Sequence, residues 1–455
     1  MQYIKEITKV RSCQVAICGG GFAGFAAAYA AAREGMKVLL IERNGALGGV
    51  GTLGLVNHLL GARAFEGKTC KTCVGGLFAR IEEELLKRSA AVNYKSTDLS
   101  LPPHGWFKTL GIGLIFDNEE MKRLLEELLS EVGVEILYYT DVIDVIRCGE
   151  RLESLVIHNK SGLATVRADY FVDATGDGDI YAMAGCPFEF GNTEGGLAAA
   201  SLEMHVENVD SDALTDYMKR TDDRRFRAII GNLKEAGIWR FPYEIFISVM
   251  LTRPDVFMIN TIRQVGINGT DAESLSHGVL EGRRESFALL EIMRAHFPGF
   301  AHARIRSIAP SIGIRETRRL KALHVLGVND LILGEAFPDS IALSGYGWDM
   351  PDPKHPSYQP YHGVARKSAF TEIPYRSLLP LGVDNLIAVG RCIGAEREAL
   401  GAIRVMAPCI AMGEAAGVAA SLALRERLPY RDVNISALRE RLTAHGCIVS
   451  REQIE

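Results

Sequence analysis

Cysteine is scarce in this chain and no apolar run is long. Nine cysteines in 455 residues are too few for a disulfide framework, and their odd number leaves at least one unpaired, which fits a reducing, cytoplasmic setting. Only Cys70 and Cys73 stand at CxxC spacing; without a second pair or a nearby histidine they are weak evidence for metal or an iron–sulfur cluster, so no metal is expected. No uninterrupted apolar stretch reaches the roughly 18 to 20 residues of a membrane helix. Lys5, Lys9 and Arg11 ahead of the apolar residues from Val15 mimic a signal peptide, but Gly19, Gly20, Gly21 and Gly24 interrupt that run. A large charge of either sign is missing too. Lys plus Arg number 51 and Asp plus Glu 56, leaving a net −5, which gives no general attraction to nucleic acid or to an anionic membrane. Internal repeats and low-complexity tracts are absent from the sequence.

What is there is globular in composition: 47% hydrophobic and 24% charged residues, in a chain long enough for roughly three domain equivalents. Glycine is the excess. Its 46 residues are about 10% of the chain against an ordinary 7%, which implies places where backbone must come close to something.

The pattern from Gln14 is strand (Gln14–Cys18), glycine turn, Ala-rich helix (Phe22–Glu34) and strand (Lys37–Ile41). Ala23, Ala26, Ala27, Ala30 and Ala31 give that helix a small face that can lie close on a sheet. Short β-rich runs follow at Val134–Tyr138, Ser154–His158, Ala164–Arg167 and Tyr170–Asp173. From about Gly191 to Pro310 strand-like runs (Ser201–Val206, Phe246–Met250, Val256–Asn260) mix with helices near Ser211–Lys219 and Asp271–His296, as an inserted domain would. Asp339–Tyr361 is rich in Pro, Gly, Tyr and His and is expected to be a long functional or interdomain loop. The α/β pattern returns with a strand at Asn385–Val389 and a small-residue helix from Met406 to Leu424.

Four groups carry chemistry. Gly19-x-Gly21-x-x-Gly24 follows a strand and opens a helix, with Phe22 and Ala23 inside the turn and Glu42 ending the next strand; such glycines let a pyrophosphate approach the helix N-terminus, and the acid can accept from ribose hydroxyls. Gly45, Gly48, Gly49, Gly51 and Thr52 form a second cluster, more glycine than a plain loop needs. Ala174, Thr175, Gly176 and Asp177 stand at the carboxyl end of an apolar strand, where ligands of open α/β sheets bind. Gly390 and Arg391 follow the last strand, and Val405 and Met406 precede Pro408 at the start of a helix whose N-terminus favours negative charge.

With Glu42-Arg43, Gly48-Gly49, Gly313-Ile314-Arg315-Glu316-Thr317-Arg318-Arg319, Ile373 to Pro380 and the Asn385 to Ala420 tail, these residues resemble the FAD-dependent oxidoreductase family, whose fold is related to glutathione reductase and fumarate reductase flavoproteins. The likeness is strong over about 1–60, 130–180 and 310–425 and weak between. It implies an α/β fold: a doubly wound, Rossmann-type FAD-binding domain (1–190 and 371–455) with an inserted mixed α/β substrate or cap domain (191–370). It also implies non-covalent FAD, with pyrophosphate at Gly19–Gly24, adenosine ribose at Glu42, adenine near the backbone of Val142, ribityl and pyrophosphate near Asp177 and Gly390, and flavin against the helix at Met406. Where the family pattern often has His, this chain has Arg397. No second dinucleotide-binding unit is expected after Glu42, so electrons enter from substrate or from a redox partner protein.

Arg315, Arg318, Arg319, Arg376, Arg391, Arg397 and Arg404 fall in segments expected around the flavin, and guanidinium forks bind carboxylates. Arg315, Arg397 and Arg404, with His362 as a proton-exchanging group, are the catalytic candidates. His58, His104, His355, Tyr346 and Asp349 are weaker ones, and His58 could even anchor a flavin. The expected function is hydride transfer between flavin N5 and a small organic substrate, with carboxylates among the candidates. The alternatives are an FAD-holding electron-transfer subunit and a non-redox dinucleotide-binding module; a nicotinamide-only dehydrogenase leaves the Ala174–Asp177 group and the Met406 helix without a purpose.

Overall fold

A computed structural model describes residues 6–96 and 112–454; His104 lies outside them. The chain runs β1 (Val10–Ser12), β2 (Val15–Cys18), α1 (Phe22–Arg33), β3 (Val38–Ile41), α2 (Gly76–Lys87), α3 (Asn118–Glu131) and β4 (Glu135–Leu137), then β5 (Thr140–Cys148), β6 (Arg151–Asn159), β7 (Gly162–Arg167) and β8 (Tyr170–Asp173). There follow β9 (Met204–Glu207), β10 (Ser248–Met250), β11 (Phe257–Ile259), α4 (Ala272–His296), β12 (Arg304–Ile308), β13 (Ser340–Ser344), β14 (Thr371–Pro374), β15 (Leu386–Ala388) and α5 (Met406–Glu426).

Five of these strands form one sheet in the order β15-β8-β2-β3-β4, with every pairing parallel. The chain leaves β2 toward β3 and β4 and returns to the other side with β8 and β15, so the switch point lies at β2. This is the doubly wound sheet expected from the sequence. All four residues of β2, β3 and β8 are buried, because both faces are covered. Val15 and Ile17 turn to the core shared with α1 and α5, whereas Ala16 and Cys18 turn to the core shared with Leu155, Ile157 and Val166 of the meander. That meander is a second sheet, β1-β7-β6-β5. Strand β5 was not legible in the sequence, since its outer residues Asp141, Asp144 and Arg147 break the apolar pattern.

The helical layer depends on small residues. A Cβ on Gly413 would stand 2.1 Å from the carbonyl oxygen of Ala23, and one on Gly417 2.4 Å from that of Ala27. Helices α1 and α5 therefore pack backbone to backbone, which is what the alanine face predicts. Helix α5 is long and apolar enough to span a membrane by length and composition, although Glu414 interrupts its apolar run. Its apolar window is 89% buried inside the protein, which core packing accounts for.

The middle of the chain forms a third sheet, β10-β11-β9-β12, antiparallel throughout. Its own core holds Phe226, Phe246, Phe257, Phe297 and Phe300, with the rings of Phe246 and Phe297 4.5 Å apart between centroids. Residues 326–343, inside the stretch expected to be the insert, contribute Leu326, Val328, Leu331 and Ile341 to the α1–α5 core instead, and β13 pairs with β14. The expected Asp339–Tyr361 loop thus begins as the strand β13.

Candidate functional site

The carboxyl end of β2 and the loops around it open into a cavity of about 550 Å³ that runs from the glycine turn to the third sheet. Three glycines after β2 have different reasons to be there. Gly19 has φ +102°, and a Cβ there would stand 2.4 Å from the Ala174 carbonyl oxygen; one on Gly24 would stand 1.8 Å from that of Gly19. Gly21 has an ordinary φ of −63°, and a Cβ there would meet nothing within 4 Å. Neither strain nor protein packing asks for glycine at 21. It lines the cavity, so the space its missing side chain leaves is open to an occupant. Helix α1 has no side-chain cap and no acidic residue in its first turn, leaving its first N–H groups for an anion.

Around that turn, Glu42 accepts from the Gly20 N–H at 2.6 Å through Oε2 and from the Asn44 N–H at 2.8 Å through Oε1. A carboxylate has about four acceptor positions, so capacity remains for a ribose. Glu42, Arg43, Gly48, Gly49 and Val142 all line the cavity, as do Phe22 and Ala23. Gly48, at φ +95°, donates its N–H to the Gly20 carbonyl at 2.8 Å. Gly49-Val50-Gly51-Thr52-Leu53-Gly54 repeats the Gly-x-Gly-x-x-Gly spacing, but Gly49–Gly51 is one 3-10 turn and not the opening of a helix after a strand. Thr52 and Gly24 do not reach the cavity surface; the buried Thr52 hydroxyl donates to the Leu47 carbonyl.

On the opposite wall stand Ala174, Thr175, Gly176 and Asp177. Asp173, behind them, accepts from Thr175 Oγ1 at 2.7 Å and from the Ile180 and Tyr181 N–H groups at 3.0 and 3.1 Å, which fixes the turn. Burial pushes its carboxyl up to about 6 against those hydrogen bonds. Asp177 Oδ1 takes Thr317 Oγ1 and Arg391 Nη2, each at 2.8 Å, and so ties three distant segments together. Gly390, Val405, Met406 and Cys409 complete this wall. Helix α5, like α1, begins with no side-chain cap and no acid in its first turn.

The far end of the cavity is an outer chamber. Ser201, Glu203, Asn260, Arg315, Tyr346, Asp349 and Arg404 line it, with Leu275, Val279, Ile312 and Ile314. Arg315 donates to the Ala199 carbonyl at 2.5 Å, and Arg404 Nη2 pairs with Asp349 Oδ2 at 2.8 Å. Burial beside Arg263 and Arg404 pulls Arg315 down, and burial pushes Tyr346 up, so the phenol is neutral.

Two catalytic candidates are not brought here. Arg397 is buried away from the cavity, donating from Nε to Glu316 at 3.0 Å and from Nη2 to the Pro351 carbonyl at 2.9 Å; an ion pair between residues 81 positions apart uses up its fork. His362 is exposed on the loop after Tyr361. His355 is exposed as well, whereas His58 is buried and lines the cavity. Cys70 and Cys73 lie on and beside a hairpin strand, Thr69–Thr72, outside this cavity's lining; burial pushes both thiols up, and the described residues hold no cluster of metal-ligating side chains. The sequence reasoning missed Glu203 and Asn260. Glu203's only signal was an acidic residue inside the apolar run Ser201–Val206.

A family model described as FAD dependent oxidoreductase matches residues 14–442. No curated protein sequence matches significantly. Among solved structures, a geranylgeranyl bacteriochlorophyll reductase-like protein from Thermoplasma acidophilum is similar at 14% identity and a TM-score of 0.47, over 96% of this chain and 84% of its own. The flavin-dependent monooxygenase PieE, solved with FAD and substrate, is similar at 15% and 0.49 over 91% of this chain and 58% of its own. The flavin-dependent brominase Bmp2, as a triple mutant, is similar at 13% and 0.48 over 94% and 84%.

Proposed function

The chain belongs to the FAD-dependent oxidoreductase family, and from that premise we propose that it holds FAD along the glycine wall of the cavity and moves a hydride between the cofactor and a small organic carboxylate in the outer chamber. The observation that carries this reading is Gly21, where the fold itself would accept a side chain and only an occupant of the cavity would not. When bound, FAD supplies the hydride acceptor or donor.

The chain's own residues bind, orient and exclude. The free N–H groups of α1 hold the pyrophosphate, Glu42 takes the adenosine ribose, and the backbone at Val142 lies beside the adenine. Asp177, held by Thr317 and Arg391, lies along the ribityl and pyrophosphate with Gly390. The N-terminus of α5 at Val405 and Met406 offers its partial positive charge to the flavin. Arg315 and Arg404 orient the substrate carboxylate, and Leu275, Val279, Ile312 and Ile314 keep water from it. Electrons leave to an acceptor outside this chain.

The test is an absorption spectrum of the purified protein before and after heat release, followed by anaerobic titration with small carboxylates. Released FAD and bleaching by at least one such donor are expected. Protein without flavin that also fails to bind added FAD overturns the reading. Bound FAD that no small donor bleaches, but that a partner protein reduces, replaces the substrate reading with that of an electron-transfer subunit.

A further inference from the structure

Strand β9 and the residues before it have two unlike faces. Leu202, Met204 and Val206 enter apolar cores, as the period of two requires of one face. The other face carries Ser201, Glu203 and His205, and it is buried rather than solvated, at 2%, 1% and 5% exposure. A polar strand face without water faces a partner or a site. His205 has a partner, the Leu55 carbonyl oxygen at 3.0 Å from Nε2. Ser201 and Glu203 line the outer chamber, and the buried Oε2 of Glu203 has no hydrogen-bond partner.

Two arginines stand near without pairing to it. Arg263 is buried, held by Ser201 Oγ and Asn260 Oδ1, with its guanidinium 4.6 Å from the centroid of the Tyr243 ring. Arg315 is engaged with the Ala199 carbonyl. Among the described residues Glu203 forms no ion pair. A buried carboxylate oxygen with neither hydrogen bond nor ion pair is costly, whereas a neutral carboxyl in the same place is a donor awaiting an acceptor. The remaining charges near the chamber agree. Arg404 and Asp349 offset each other, burial holds His205 neutral by lowering it to about 4, and Tyr346 is uncharged, so Arg263 and Arg315 leave the chamber net positive.

We propose that Ser201 and Glu203 form the anion-recognition subsite of the substrate chamber, in which Glu203 works as a neutral carboxyl that donates a hydrogen bond to a carboxylate oxygen of the substrate while Arg315 supplies the opposing charge. This rests on the reading of the chamber as the substrate site. It assigns the substrate class, a monocarboxylate or dicarboxylate entering as an anion, and it couples binding to a proton. Desolvation raises Glu203 to about 8, against the pull of Arg263 and Arg315; a bound carboxylate, being a like charge, holds the proton more firmly still. Below about pH 8 the proton is already present and binding takes up none. Above it, each bound anion takes up close to one.

The experiment is calorimetric titration of the FAD-loaded protein with succinate and with benzoate at pH 7 and pH 9, in buffers of different ionisation enthalpy. Wild-type protein is expected to bind at least one probe about tenfold more weakly at pH 9 than at pH 7, the loss set by one pH unit above the Glu203 value, with uptake near one proton per anion at pH 9 only. Glu203→Gln keeps the neutral shape, so its affinity is expected to change less than about threefold between the two pH values, with proton uptake reduced to the fraction that Arg315, pulled down by burial, supplies. Four results overturn the proposal: wild-type affinity independent of pH, proton uptake undiminished in Glu203→Gln and so belonging wholly to Arg315, a Gln variant binding more than tenfold tighter than wild type at pH 7, or no binding of either probe. If Glu203→Gln does not fold, the wild-type affinity and proton count decide alone. Flavin absorbance of the same samples separates the outcomes: protein that holds FAD but shows no linkage loses only this inference, and protein that holds no FAD loses the function beneath it.

Discussion

Gly21 and Gly24 are three residues apart in one motif, yet a methyl group would do different things at each. At Gly24 it meets a carbonyl oxygen at 1.8 Å and at Gly21 it meets no protein atom. Gly24→Ala is therefore expected to cost roughly 3 kcal/mol or more of folding stability. Gly21→Ala should stay within about 0.5 kcal/mol of wild type in urea unfolding of the apoprotein, while its FAD affinity falls on the order of tenfold. Equal affinity in Gly21→Ala would remove the observation on which the function rests. At this scale the glycine turn, Glu42 and Asp177, which the structure brings to one cavity, could be picked out because a turn between a strand and a helix is a local object. Arg397 and His362 were not, because what decides their roles is a partner 81 positions away for one and solvent exposure for the other. Glu203 escaped for the same reason, since burial without a partner has no spelling in sequence.

Among the elements, α5 binds the site to the core. Its N-terminus lines the cavity at Met406 and Cys409, and its next turns press on α1 through Gly413 and Gly417. Gly413→Ala puts a Cβ 2.1 Å from the Ala23 carbonyl oxygen, and neither helix can retreat without carrying the α1 N-terminus away from β2. The expected result is a loss of roughly 3 kcal/mol in urea unfolding together with weaker FAD binding, unlike Gly21→Ala, which separates the two readouts. Most element boundaries were legible to within a residue or two: Tyr170–Asp173 and the start of α5 at Met406 agree with the sequence reading. Periodicity and small-residue faces report local conformation directly. The pairing of β13 with β14 was not legible, because strands of four or five residues carry little pattern and their partners are chosen by what else fills the core.

Over the whole molecule, buried carboxyls give the apoprotein an unusual pH response. Burial raises Asp173 to about 6, Glu414 to about 7 and Glu203 to about 8. In each case the folded state holds a proton that the unfolded chain releases, so stability present below the unfolded value is lost as pH rises through the folded one. His205, lowered to about 4, acts oppositely and only below about 6.5, where it offsets Asp173. Between about pH 6.5 and 8.5 Glu414 and Glu203 act unopposed, so the thermal midpoint should fall by a few degrees over that range, and the double variant Glu203→Gln, Glu414→Gln should flatten the decline. A midpoint that rises over the same range contradicts the assignment. The sequence by itself determined the parts that are local: a strand, a glycine turn and a bare helix N-terminus are set by residues that touch along the chain, and they suffice to indicate the family and its dinucleotide. Only the tertiary structure decided what is buried beside what. The segment leading into the third sheet carries Ser201 and Glu203 to the far end of the cavity, Glu316 withdraws Arg397 from it, and desolvation at Glu203 arises only when segments separated by a hundred residues close over it and exclude water.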